Sequence, residues 1–293
     1  MVEVFYDGNL GNHLFQYCFG RLLAEALQYR LVAPPIDGFP GTYETVDGHS
    51  FESNNVVVLR GQKPDLSFMQ QSDGKYHVIV SGYFQRTEYY APRAAAVRRW
   101  LAVHDRHDYG ISENDVVVGI RRGRDYIPQH GLPLSYYDNA LALLEHDRVF
   151  VCTNDPDDGF VRYFSTRHKA IVRPPSALDN FAFIRQFRKI VISNSTFLWW
   201  AAYLSEAGEI VFPRPANGLW SANDPISKNI SLEVDEPRYR YLACEKYKSE
   251  FAAEILLNWR DAILSRGKTT IRKCLPFARR RTHPGTATMV FHE

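Results

Sequence analysis

The 293-residue sequence contains only four cysteines, Cys18, Cys152, Cys244 and Cys274, which are far apart, with no CxxC pair and no histidine cluster beside them. That spacing argues against a zinc ribbon or a disulfide framework and is expected of reduced, structural thiols in a cytoplasmic protein. No apolar run is long enough to span a bilayer, and the opening "MVEVFYDGNLGN" has neither the charged leader nor the apolar core of a secretion signal. An excess of one charge is also lacking. The 35 Lys and Arg against 33 Asp and Glu leave a net charge of +2, too small for wholesale nucleic-acid binding. There is no internal repeat and no low-complexity block. The expectation is a soluble globular protein with chain enough for one large domain or two ordinary ones.

What the sequence does contain is an alternation of short apolar strands with amphipathic helices, the pattern of an α/β protein with a largely parallel sheet. Expected strands cover residues 2–6, 56–59, 78–82, 116–120, 149–152, 170–172, 190–193 and 210–212. The clearest helix follows the first strand: Leu14, Phe15, Cys18, Phe19, Leu22, Leu23, Ala26 and Leu27 recur at helical spacing, opposite a face of Gln16, Arg21, Glu25 and Gln28. Residues 30–75 are rich in Pro, Gly and Asp and read as loops and short elements. A second helix is expected around residues 92–103, and the polar "HDRHDYGISENDV" after it marks a domain boundary. Another, over residues 251–264, has an apolar stripe of Phe251, Ile255, Leu256, Trp259 and Ile263.

Four segments carry chemistry. In "VVVGIRRGRDY" a strand with no alternating polar residue reads as buried on both faces, and its end delivers Arg121 and Arg122 where open α/β sheets bind ligands. Paired guanidinium donors suit phosphate; a surface pair bonded to carboxylates is the plainer alternative. In "FYDGNLGNHLFQY", Gly8 and Gly11 form a turn between strand and helix with Asn12 in a capping position, an arrangement that turns free backbone N–H groups outward. It is not a dinucleotide fingerprint, because the third glycine and the later acid are missing. "KIVISNSTFLWWAAYL" repeats the design with Asn194, Ser195 and Thr196, while Trp199 and Trp200 read as core or as site residues. In "VFVCTNDPDDGF" the acids Asp155, Asp157 and Asp158 read either as ligands for a divalent cation or as a turn and helix start. His130 lies near the arginine pair without a nucleophile beside it, which argues against hydrolase chemistry. Beyond Asp261 the chain is basic, with Arg279, Arg280 and Arg281 in a row and no acid until Glu293; it reads as a solvated tail or as a peripheral membrane contact through anionic headgroups.

Taken in order, these segments resemble the alpha-1,2-fucosyltransferases of glycosyltransferase family 11, over roughly residues 4–220. "GNLGNHLFQYCFGR" is similar to that family's opening Gly-Gly-Leu-Gly-Asn-Gln-Leu-Phe-Gln-Tyr block, with Asn9 for a glycine and His13 for the glutamine. "GYFQRTEYY" keeps Gly82, Tyr83 and Gln85 of a Gly-Tyr-Trp-Gln segment, and "LPLSYYDNAL" and "SNSTFLWWAAYL" resemble two further blocks. "GIRRGRDY" resembles the His-x-Arg-Arg-Gly-Asp-Tyr motif, with Gly119 at the histidine position and Arg124 inserted before Asp125 and Tyr126.

The resemblance implies a GT-B fold, two Rossmann-like domains facing across a cleft: an acceptor-side domain over 1–108, a donor domain over 109–235, and C-terminal helices with the basic tail over 236–293. It implies a metal-independent, inverting transfer of L-fucose from GDP-β-L-fucose to a hydroxyl, the 2-OH of a galactose-like residue, on a glycan acceptor. Arg121 and Arg122 would hold the diphosphate and stabilise the leaving GDP, with Gly11, Asn12, Asn194, Ser195 and Thr196 as further donor-site residues. Asp125 is the expected base, with Glu88 and Asp7 as fallbacks. His13, Gln16, Tyr83, Gln85 and Tyr126 are expected to line the acceptor side of the cleft. Replacement of the motif histidine by Gly119 is expected to enlarge and depolarise the donor site, which keeps open another GDP-sugar such as GDP-L-galactose. A catalytically impaired nucleotide-sugar or glycan-binding protein is the alternative from another class.

Overall fold

The computed structural model of the chain describes residues 1–50, 55–70, 75–103, 107–123, 130–215 and 229–244. Two all-parallel sheets organise it. The first has the order β2-β1-β4-β3, built from β1 (Val2–Val4), β2 (Leu31–Val32), β3 (Val56–Leu59) and β4 (His77–Val80). The second has the order β10-β9-β8-β5-β6-β7, built from β5 (Val116–Ile120), β6 (Val149–Thr153), β7 (Ile171–Val172), β8 (Lys189–Ile192), β9 (Glu209–Pro215) and β10 (Tyr239–Cys244). In this second sheet β5, β6 and β7 run to one edge and β8, β9 and β10 to the other, so strand order reverses between β5 and β8, the doubly wound arrangement of nucleotide-binding folds. β5 is buried at all five positions, as its unbroken apolar run requires of a strand covered on both faces.

Helices α1 (Leu10–Leu27), α2 (Thr87–Tyr90) and α3 (Ala94–Trp100) accompany the first sheet, and α4 (Leu134–Ala142), α5 (Gly159–His168), α6 (Ala177–Ile184) and α7 (Thr196–Tyr203) the second. The helix expected at residues 92–103 is shorter because Pro92 sits in a 3₁₀ turn, Ala91–Arg93, that separates α2 from α3. α1 buries more than its apolar stripe. Gln16 is 1% exposed and Arg21 7%, although both were expected on the solvent side. The cause lies in the loops around α1: the turns after β1 and β4 enclose Gln16, while the helix itself lies against β1 through Gly20 and Val4 and against α7 through Gly11 and the backbone of Phe197. Arg21 is accommodated by bonds to the Tyr17 hydroxyl (2.8 Å), the Gly41 carbonyl (2.9 Å) and Glu44 (2.9 Å), with its guanidinium over the Trp100 ring.

The contact of α1 with α7 makes one core continuous between the two sheets, and it is aromatic. Phe15 meets both Trp199 and Trp200, at ring-centre distances of 5.0 and 4.7 Å. Trp199 Nε1 donates to the Leu232 carbonyl and Trp200 Nε1 to the Gly11 carbonyl, so both indoles are satisfied core residues. β10, in the stretch expected to begin C-terminal helices, is a full strand paired with β9 from Tyr239 to Cys244. The expected helix over residues 251–264 and the basic tail, with Cys274, lie outside the described residues. Among the described residues no helix is long and apolar enough to cross a membrane.

Candidate active site at the seam of the two sheets

The strand-order reversal generates the site. At a switch point neighbouring crossovers leave in opposite directions, so the ends of β5 and β8 diverge and open a crevice. A cavity of about 460 Å³ occupies it, lined by Ile120 and Arg121 after β5, residues 152–154 at the end of β6, Asn180 on α6, and residues 195–198 at the start of α7. Residues 9–11 of the β1–α1 turn line it from the first sheet. Pro175, Ser176 and Ala177 before and at the start of α6 also line it, so the N-termini of α1, α6 and α7 border the space along with Arg121. Unpaired N–H groups at such ends favour an anion, and a cavity of this size suits a nucleotide-sized ligand.

The two adjacent arginines part company here. Arg121 lines the cavity, its backbone N–H bonded to Ser193 Oγ (3.1 Å). Arg122 points away: its side chain is 1% exposed, Nε donates to Asp158 Oδ1 (3.0 Å), and the guanidinium lies 4.4 Å from the centre of the Phe160 ring. The expectation that both arginines grip one diphosphate is therefore revised. Arg122 does not line the cavity; it braces the loop that carries Arg121, with Asn154 bonding both its N–H (2.8 Å) and its carbonyl (2.7 Å). The same Asp158 caps α5, accepting from Phe160 N and Val161 N, which gives "NDPDDG" its turn and helix-start role. Among the described residues no group of three or more His, Cys, Asp or Glu could hold a metal ion.

Other expected residues divide similarly. Gly11, Ser195 and Thr196 line the cavity, whereas Asn12 and Asn194 do not; Asn194 is buried at the end of β8, and Asn12 Oδ1 accepts from Gln85 Nε2 (3.1 Å). The helix begins three residues before the expected start, with Asn9 and not Asn12 at its N-cap, because Gly8 at φ +82° turns the chain early. A Cβ on Gly11 would stand 2.4 Å from Phe197 N, so only glycine permits this approach of α1 to α7. Gln16 also leaves the cleft: it bonds Asp7 N (3.0 Å) and the Gly82 carbonyl (3.0 Å), tying the turn after β1 to the one after β4. Gln85 is buried, its backbone N–H held by Gln62, and Tyr83 donates to Asp7 Oδ2 (2.7 Å). Neither Tyr83 nor Gln85 lines the cavity.

Arg124, Asp125 and Tyr126 lie outside the described residues. Of the two fallback bases, Glu88 is engaged by both guanidinium nitrogens of Arg86 (2.8 and 3.0 Å), which hold its carboxyl below the usual range and make it a poor proton acceptor. Asp7 is exposed and takes the Tyr83 hydroxyl. Gly119 does not enlarge the site. A Cβ there would meet Leu198 Cδ2 at 2.5 Å, so Leu198 already fills the space a side chain would take and presents an apolar wall to the cavity.

Sequence reading missed Leu10, Cys152, Thr153, Asn154, Ser176 and Asn180 as lining residues. Cys152 and Thr153 end β6, which sheet order sets beside β5, and Asn154 follows them; Ser176 and Asn180 cap and continue the start of α6, and Leu10 is carried in by α1 from the first sheet. Cys152 is buried against Asn180, and burial pushes its thiol up to about 12, so it presents a neutral, unreactive wall.

A second cavity of about 410 Å³ adjoins the first. The two share Leu10, and the neighbours Ala177 and Leu178 line one each. Its other walls include Tyr6, His13, Ile36 and Asp37.

The fold and the site thus define an α/β protein with a cavity at the switch point of a parallel sheet and a second cavity beside it. The sequence model of glycosyl transferase family 11 matches residues 49–217, more than half of the chain, and the protein belongs to that family. The opening block at residues 8–21, which supplies Leu10, Gly11 and His13, lies N-terminal to the matched stretch. No curated protein matches the chain.

Proposed function

We propose that this glycosyltransferase moves L-fucose from GDP-β-L-fucose to a hydroxyl of a galactose-like residue in a glycan, in one inverting displacement without a metal. The observation that carries the reading is the switch-point cavity, where Arg121 and the N-termini of α6 and α7 converge. In the displacement the acceptor oxygen forms a bond to the anomeric carbon as the bond from that carbon to the β-phosphate oxygen breaks. Negative charge grows on the departing GDP, and a cation and oriented N–H dipoles beside it lower the barrier, because they interact more strongly with the transition state than with the bound donor. Arg122 acts indirectly, fixing the loop through Asp158. Asp125 is the proposed base. The paired sheets are read as the two halves of a GT-B fold, with the donor on the second.

Leu198 over Gly119 favours a donor whose sugar presents an apolar edge to that wall, as a 6-deoxy sugar does; this supports fucose over a hydroxylated GDP-sugar. The test is calorimetric titration with GDP, UDP and ADP, with and without EDTA, on the wild type and Arg121→Ala. Chelator-insensitive binding of GDP alone, weakened in the variant, is expected. Preference for UDP, or dependence on a divalent ion, would overturn the reading.

A further inference from the structure

Among the described residues that line the second cavity there is no cation, and its chemistry is opposite to that of the first. Tyr6 and His13 stack with ring centres 4.9 Å apart and planes 18° apart, and both rings line the space. Each ring is held in place by a backbone carbonyl: the Tyr6 hydroxyl donates to Pro34 O (2.8 Å) and His13 Nε2 to Gly8 O (2.8 Å). A carbonyl can only accept, so Nε2 carries the proton and, in the neutral imidazole, Nδ1 is left as an acceptor. Asp37 adds a second acceptor. Tyr43 donates to its Oδ1 (2.9 Å), which orients the carboxylate and leaves Oδ2 for a ligand. Leu10, Ile36 and Leu178 make the remaining surface apolar.

Aromatic faces, apolar walls and paired acceptors fit a ligand that has C–H faces and donates hydroxyl protons, and a carboxylate without a neighbouring cation repels an anion. A neutral pyranose has those properties; a phosphate or a sialic acid does not. The position agrees with this chemistry, since a ligand here lies beside the donor cavity with only Leu10 common to both.

We infer that this cavity is the acceptor subsite, in which a neutral pyranose stacks on the Tyr6–His13 pair and donates hydroxyl hydrogen bonds to Asp37. The inference rests on the transferase reading above and extends it to Tyr6 in the turn after β1, Asp37 on the loop after β2 and Leu178 at the start of α6. The Asp37 carboxylate also predicts discrimination between neutral and acidic glycans at the residue that receives the transferred sugar.

Saturation-transfer NMR on the full chain, with N-acetyllactosamine and its sialylated form as probes, tests it against Asp37→Ala, Leu178→Arg and Tyr6→Ala. Asp37 and Leu178 are exposed, so at least two of these variants are expected to fold. The expected result is binding of the neutral sugar, at least about tenfold weaker in Asp37→Ala and Leu178→Arg, and little binding of the sialylated one. No binding of the neutral probe, unchanged binding in both exposed-residue variants, or equal binding of the acidic probe would overturn the inference. GDP titration of the same variants separates the two readings: wild-type GDP affinity with weakened sugar binding supports the subsite. Retained sugar binding without any affinity for GDP in the wild type would leave the subsite standing and remove the donor assignment.

Discussion

The cavity at the end of β5 is walled by strand ends and helix starts and carries a guanidinium, whereas the one beside β1 is walled largely by loop residues and carries a carboxylate and a stacked pair of rings. The first exists because strand order reverses between β5 and β8, a property of the sheet that no single substitution removes. The second exists because residues 35–37 of a loop and Leu178 of α6 face one space, so it depends on a loop and a single helix side chain. Topology therefore places the first cavity, and loop residues set the chemistry of the second. Loops tolerate change more readily than sheets, so the second cavity is where relatives of this fold can diverge while keeping the first.

The largest effect expected from breaking this comparison comes from beneath the first cavity. Arg122→Ala removes the partner of a carboxylate on a residue that also caps α5, and loss of one member of a buried pair costs about 3–5 kcal/mol. A denaturation midpoint shift of that size in urea is the measurement, and a shift near zero would show that Arg122 is not the brace described here.

Arg121→Ala should do the opposite. Folding stability should stay within about 0.5 kcal/mol of wild type, as for a substitution at a half-exposed position. Turnover with GDP-fucose should fall by about 100-fold or more, as when a preorganised transition-state donor is removed. Equal behaviour of the two arginine variants would erase the division between cavity and support.

Gly119→Ala sharpens the description of the wall. The added methyl must displace the Leu198 side chain, costing about 1–3 kcal/mol of stability and pushing Leu198 towards the donor cavity. Several-fold weaker GDP-sugar binding, with little change in the sugar affinity of the second cavity, is the expected calorimetric result.

The smallest effect is on pH. Arg148 donates to both carboxylate oxygens of Asp115 just before β5, and these bonds hold the Asp115 carboxyl down at about 2. Because the folded-state value lies below that of the unfolded chain, the stabilisation is complete above about pH 4 and is lost as pH falls towards 2. Asp115→Asn should flatten the stability profile in that window and lower stability near neutrality, where the ion pair contributes in full, as read by thermal melts across pH.

Much of this architecture was legible. The strands at 56–59 and 116–120 lie where their apolar runs end, and the glycine turn after β1 and the polar turn after β8 do border the cavity. What local pattern could not reveal has physical causes. β2 has two residues, too few for any period to register, and β10 alternates burial weakly because it lies at a sheet edge. The polar residues of α1 read as solvent-facing until the turns after β1 and β4 enclose Gln16 and the segment after β2 encloses Arg21, with partners as distant in sequence as Gly82.

By itself the sequence determined that β5 would be a buried strand and that two arginines would emerge from its end, because an apolar run without polar alternation has no stable place except between covered faces. Which arginine meets a ligand was decided only by the tertiary structure. Successive side chains at a strand end point to opposite sides, and one of those sides holds Asp158 and Phe160, more than thirty residues further along the chain. A charge turned inward persists there only because α5 brings that carboxylate within hydrogen-bonding distance, and its neighbour is left facing the cavity.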